Sequence, residues 1–144
     1  MSFNSGAVAS ALVTVLEGLT GMGAVQIGAP TSVGPTVSAY VTMGSINAVR
    51  VVTGVTRRQS RFFICLCYRI DGAESTAETT LMSLVDELMA DLHADLTLGG
   101  VVDDLEISSN AADDPDYQLR AGKEYREYPL IVTVAQDGVY TVNP

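Results

Sequence analysis

The residues best suited to chemistry in this chain are two cysteines one position apart, in the stretch "RFFICLCYRI" at residues 61–70. Three readings compete: a metal clamp, a redox pair, or hydrophobic core. In a strand, residues i and i+2 point the same way. Phe63, Cys65 and Cys67 then share one face, and Phe62, Ile64, Leu66, Tyr68 and Ile70 share the other. Same-face neighbours on one strand stand roughly 6.5–7 Å apart at Cα with nearly parallel Cβ vectors, which is poor geometry for a disulfide. A tetrahedral zinc site needs two further ligands, and the chain has one histidine and no third cysteine. Buried cysteine behaves as a small hydrophobe, so the pair reads as core, with no metal and no cofactor.

Other chemistry is less well supported. His93 falls near the end of a helix, with no Ser- or Cys-centred motif beside it to serve as a general base. A helix C-terminus favours a cationic side chain in any case. The acidic groups "VVDD" (101–104) and "ADDPD" (112–116) lack the central glycine and closing glutamate of a calcium loop. "GLTGMGAVQIG" (18–28) precedes a strong strand instead of following one, and no P-loop lysine comes after it. No catalytic constellation emerges, so the expectation is a protein that is not an enzyme. A small divalent-metal-dependent hydrolase using the acidic loops is the distant alternative.

The elements that would position these residues follow from periodicity. Val8, Leu12, Val15, Leu16 and Leu19 form one helical stripe over residues 5–19, with Asn4 or Ser5 as N-cap. Gly18, Gly21 and Gly23 stop it, and "QIGAPTSVGPT" reads as a loop. Residues 37–70 turn β-rich, with "GVTRRQS" (54–60) as an arm or hairpin tip that carries Arg57 and Arg58 outward. A second helix spans 76–96, capped by Ser75 or Thr76. Leu81, Leu84, Val85, Leu88, Met89, Leu92 and Leu96 form its apolar face, Asp86, Glu87, Asp91 and Asp95 lie opposite, and Gly99 and Gly100 end it. "VVDDLEISS" is a strand and "NAADDPD" a loop. "YQLRAGKEYREYPLIVTV" is a hairpin around Ala121-Gly122, followed by a short turn-and-strand at Asp137-Gly138. Pro129 should start a strand, bulge it, or sit at an edge. The order predicts a single α+β domain, a largely antiparallel sheet with two helices packed on one face.

Composition bounds the rest. At 144 residues the chain can bury a core without staples. No apolar run approaches the roughly 20 residues of a membrane-spanning helix. The apolar N-terminal stretch lacks a basic leader and is closed by Glu17, so it reads as an ordinary helix and not as an export signal. Two cysteines do not make a disulfide framework and fit a reducing cytoplasm. A net charge of −9 argues against a general nucleic-acid binder. The charge is also segregated. Between residues 18 and 70 the only charged side chains are five arginines, whereas residues 71–116 hold thirteen acids and no Lys or Arg. Such a molecule can pair head to tail with its own copies, a contact that closes into a ring when the rotation allows; the alternative is two solvated faces. The two-faced 61–70 strand fits this too, since its second apolar face needs either a further helix or a neighbouring subunit.

This order of signals resembles the tail terminator (tail completion, or tail-to-head joining) proteins of long-tailed bacteriophages. The likeness rests on a short N-terminal helix followed by a "GAP" loop and a strand, and on a basic turn feeding "RFFICLCYRIDG". It continues through one amphipathic helix running into "DLTLGGVVDDLEI", and closes on the tyrosine-rich hairpin "YQLRAGKEYREYPLIVTV". The resemblance implies a structural virion protein, a homohexameric ring that caps the tail tube and joins it to the head-tail connector or stopper protein. It implies assembly in the host cytoplasm, no enzymatic activity and no membrane. Double-stranded DNA would pass through the ring without sticking, and Asp103, Asp104, Asp113, Asp114 and Asp116 are candidates for an acidic lumen. Arg57, Arg58, Arg61, Phe63, Cys65 and Cys67 are candidates for contact with a neighbouring subunit or ring. Another neck ring (head completion or stopper) or a tail tube subunit is the nearest alternative, and a generic oligomeric scaffold a further one.

Overall fold

The computed structural model describes residues 3–29, 37–70, 74–109, 116–120 and 123–138. Helix α1 spans Ser5–Glu17. Asn4 caps it, its carboxamide oxygen accepting the Ala7 N–H at 2.9 Å, and Gly18 ends it. Val8, Leu12 and Leu16 are fully buried, and Leu19, just past the helix, extends the same stripe.

Strands β1 (Val25–Ile27), β2 (Ser38–Val52), β3 (Val55–Arg69), β4 (Asp104–Ser109), β5 (Asp116–Arg120) and β6 (Lys123–Gly138) form one sheet. Its order is β1-β2-β3-β6-β4, with β5 also on β6. Only β1 pairs in parallel. Helix α2 (Glu74–Ala94) joins β3 to β4.

Both helices cover one face of the sheet. Val8, Leu12 and Leu16 of α1, and Leu81, Leu84, Leu88 and Leu92 of α2, pack in one core with Val41, Phe62, Ile64, Leu66, Leu130, Val132 and Val134. The alternating residues of β3 and β6 supply these sheet positions, as the period of two requires. Arg126 on β6 ties α2 down through an ion pair with Glu78 at 2.5 Å, and Glu87 accepts from the Thr20 N–H and hydroxyl, linking α2 to the end of α1. The fold is the expected α+β arrangement.

Several local expectations are corrected. Helix α2 begins at Glu74, before the expected cap, and stops at Ala94 instead of reaching residue 96. The Asp95 carboxylate accepts the Gly99 N–H at 2.8 Å and the Thr97 hydroxyl at 3.1 Å, offering the backbone a turn in place of another helical step. Leu98 then takes φ 50°, followed by two glycines at positive φ. Leu96 is 38% exposed, and Leu98 and Val102 fill the core instead.

Asp137 and Gly138, expected to turn, are both still in β6, opposite Arg57 and Thr56, and the short strand expected after them lies outside the described residues. Pro129 neither starts nor bulges its strand. It lies inside β6, at the seam where one side of the strand passes from β5, paired as far as Glu127, to β4, paired from Leu130. There β6 has no strand partner among the described residues on that side, so the missing N–H is tolerated.

Candidate functional site

Among the described residues, the outer half of β2 is the longest exposed stretch of strand. From Gly44 to Val52 nearly every residue faces solvent, and Met43, Ile46, Val49, Val51 and Val52 are large apolar side chains each at least 44% exposed. β1 covers only Ala39, Tyr40 and Val41. Beyond them no described strand pairs with the outer edge of β2. The β2–β3 hairpin closes through the two residues Thr53 and Gly54, and Gly54 takes φ 81° as such a turn requires. A bulge at Gly44–Ser45 interrupts the register. Glycine fits there without displacement, because a Cβ would stand 2.5 Å from the Phe63 ring and force it to shift.

The three arginines expected at a contact surface, two of them at a hairpin tip, lie on β3 and have different fates. Arg57 is exposed and forms a two-pronged ion pair with Asp137, at 2.9 and 3.0 Å. That pairing holds Asp137 below the ordinary carboxylate range and raises Arg57 further. Arg61 is exposed beside Ser45, Asn47, Gln59 and Thr133.

Arg58, expected to point outward, is buried. It donates to Ser5 Oγ at 3.1 Å and Gln136 Oε1 at 3.2 Å and stacks its guanidinium 4.6 Å from the centre of the Phe3 ring. Strand alternation places it on the helix face, where α1 begins. A dibasic pair on a strand must send its two members to opposite sides.

Phe63 is half-buried, its ring against Gly44. Cys65 and Cys67, expected to await a neighbour's cover, are already 5% and 0% exposed within the single chain. They pack with Tyr125 and Tyr40 on the face away from the helices. Burial and a hydrogen bond to Cys65 push the Tyr40 phenol well up. Glu127 stands directly opposite Cys67 on β6 and is also buried. Sequence reasoning missed Glu127. The available signal was that Tyr125, Glu127 and Pro129 alternate onto one side of a strand.

Among the acids, Asp103 and Asp104 are exposed at the start of β4. Asp103 accepts the Asp137 N–H at 2.6 Å and adds to the field on Arg57. Chain segments that are basic and acidic in sequence thus meet at this end of the sheet. Asp113 and Asp114 lie outside the described residues, and of Asp116 only the backbone, paired with Glu127 in β5, is described. His93 is exposed, with Nδ1 2.7 Å from the Met89 carbonyl, and no nucleophile is placed beside it among the described residues. No helix among the described residues is long and apolar enough to cross a membrane.

No protein-family profile matches the sequence, and no curated protein does either. A solved structure does match. It is the cryo-EM structure, in the extended state, of the sheath/tube terminator of an extracellular contractile injection system, PVC. The superposition covers 100% of this chain at a TM-score of 0.52. The two proteins share a fold. Their sequences are 10% identical, and the match spans 62% of the terminator's length.

Proposed function

We propose that this chain is a tail terminator, a structural protein that forms a hexameric ring on the end of a phage tail tube and joins it to the head. The observation that carries the reading is the fold, shared over the whole chain with a protein that terminates a sheath and tube. The exposed β2 edge supports it. A long apolar edge is an aggregation hazard unless something pairs with it. A subunit that adds its own strand there makes a heterologous contact, the kind that closes into rings. The other end of the sheet, β4, presents Asp103, Asp104 and Glu106, opposite in sign to Arg50 and Arg61 on and beside the β2 edge.

In this reading the tube protein and the head-tail connector or stopper are the partners, and the particle's tail or neck is the location. Arg57 and Arg61 remain candidates for the contact with a neighbouring subunit or ring. Double-stranded DNA passes through the lumen, and Asp103 and Asp104, with Asp113, Asp114 and Asp116 of the same acidic run, repel its phosphates.

Negative-stain imaging with light scattering at high protein concentration is the test. Closed rings of about six subunits are expected from the repeated heterologous contact. Long tubes would instead assign a tube subunit. If the protein stays monomeric, the deciding experiment is a virus lacking it. Overlong, headless tails support the terminator reading, and normal joined particles refute it.

A further inference from the structure

Cys65, Cys67 and Glu127 converge on one point. The two sulfurs are 3.9 Å apart, and each stands 3.7 Å from a different oxygen of the Glu127 carboxylate, Cys65 from Oε2 and Cys67 from Oε1. The three side chains are 5%, 0% and 4% exposed. Their convergence follows from the sheet. The cysteines are same-face neighbours on β3, and Glu127 is the direct cross-strand partner of Cys67 on β6. We infer that Cys65, Cys67 and Glu127 form a binding site for a thiophilic divalent metal ion, with zinc as the best fit.

Tetrahedral geometry makes the case. With metal–sulfur bonds of about 2.3 Å, two sulfurs on one ion stand about 3.8 Å apart; with a metal–oxygen bond near 2.0 Å, sulfur and oxygen stand about 3.5 Å apart. The sulfur–sulfur separation falls within about 0.2 Å of the first edge, and each sulfur lies within about 0.2 Å of the second from its own carboxylate oxygen, so Glu127 faces the pair with both oxygens. Two soft thiolates and one carboxylate select a borderline-soft ion over calcium or magnesium, which take oxygen ligands. Three ligand residues leave room for a fourth ligand, and the Tyr40 phenol is hydrogen-bonded to Cys65. Binding releases the two thiol protons to solvent, and no oxidant is required. Without metal the same triangle is two thiols donating weak hydrogen bonds to a buried carboxylate, so the two states differ in composition and spectrum.

The test uses the full chain, purified under reducing conditions without chelator, with Zn²⁺ measured by elemental analysis and Co²⁺ used for reconstitution. About one zinc per chain is expected, together with a thiolate-to-cobalt charge-transfer band on Co²⁺ loading. Cys67→Ser and Glu127→Gln should each weaken Zn²⁺ binding by more than about 100-fold, beyond the loss typical of an outer-shell partner. The wild-type cobalt spectrum decides even if a variant fails to fold. Substoichiometric zinc together with no charge-transfer band overturns the site. Metal uptake that persists unchanged in Cys67→Ser also overturns it, because the ion would then lie on the exposed acids. Ring formation is a separate readout.

Discussion

Arg58→Ala should detach the N-terminal segment from the sheet. The wild-type guanidinium is 7% exposed and makes two charged hydrogen bonds, to Ser5 and Gln136, and one ring contact, to Phe3. Hydrogen bonds to a charged group contribute about 1.5–3 kcal/mol each, and a partly desolvated cation–π contact about 0.5–2 kcal/mol. Against this stands the cost of burying the guanidinium, whose Nε has no hydrogen-bond partner among the described residues. Truncation also strands the Gln136 oxygen, on a residue 1% exposed. The net loss works out at about 2–4 kcal/mol, within the range for disrupting a buried polar network. For a chain of this length that lowers the melting temperature by about 6–16 °C. Calorimetry gives the shift, and hydrogen exchange at residues 3–8 shows where protection is lost. Arg58→Met, which keeps most of the packing, should recover part of it. A melting temperature within about 2 °C of wild type would refute the reasoning, since that corresponds to only about half a kcal/mol.

Other expectations follow from the same geometry. Leu88→Ala, in the fully buried stripe of α2, should cost about 2–5 kcal/mol by chemical denaturation, because it leaves a cavity between helix and sheet. Gly44→Ala should cost about 1–3 kcal/mol, since the new methyl meets the Phe63 ring and the bulge must shift. Asp137 is held below its ordinary value of 3.8 by Arg57. Its small contribution is therefore present above about pH 4 and lost as pH falls through the lower folded value, so melting curves of wild type and Asp137→Asn should converge in strong acid. Val49→Lys with Val51→Lys should abolish rings in negative stain while leaving the monomer's melting temperature near wild type, since both side chains are at least half exposed.

What the sequence made legible was whatever depends on short-range periodicity. The stripe of α1, its Asn4 cap, the apolar face of α2 as far as Leu92 and the two-faced 61–70 strand all follow from spacings of two, three and four. What it hid depends on pairing between distant strands. Arg57 and Arg58 look equivalent in a list of charges, yet β3 sends one to solvent and the other beneath α1. Asp137-Gly138 looks like a turn, but the ladder with β3 keeps it extended. Glu127 looks like one of several charges in a polar hairpin, and only its register opposite Cys67 makes it a buried neighbour of two thiols. The end of α2 was misplaced because Leu96 keeps the helical rhythm, while the Asp95 side chain offers the backbone a competing turn.

The register of β3 against β6 bears on how the chain reaches this state. Arg57 and Asp137 are 80 positions apart, whereas β2 meets β3 across a two-residue turn. The β2–β3 hairpin can therefore form early, while the closure that gives β3 its second neighbour waits until β6 has been made. Loop closure over such a span slows folding and prolongs the lifetime of partly paired intermediates. During that interval β2 and β3 both present apolar edges, and self-association of nascent chains competes with completion. Refolding yield should fall steeply as protein concentration rises, and the last third of the chain acts as the seal that ends the exposure.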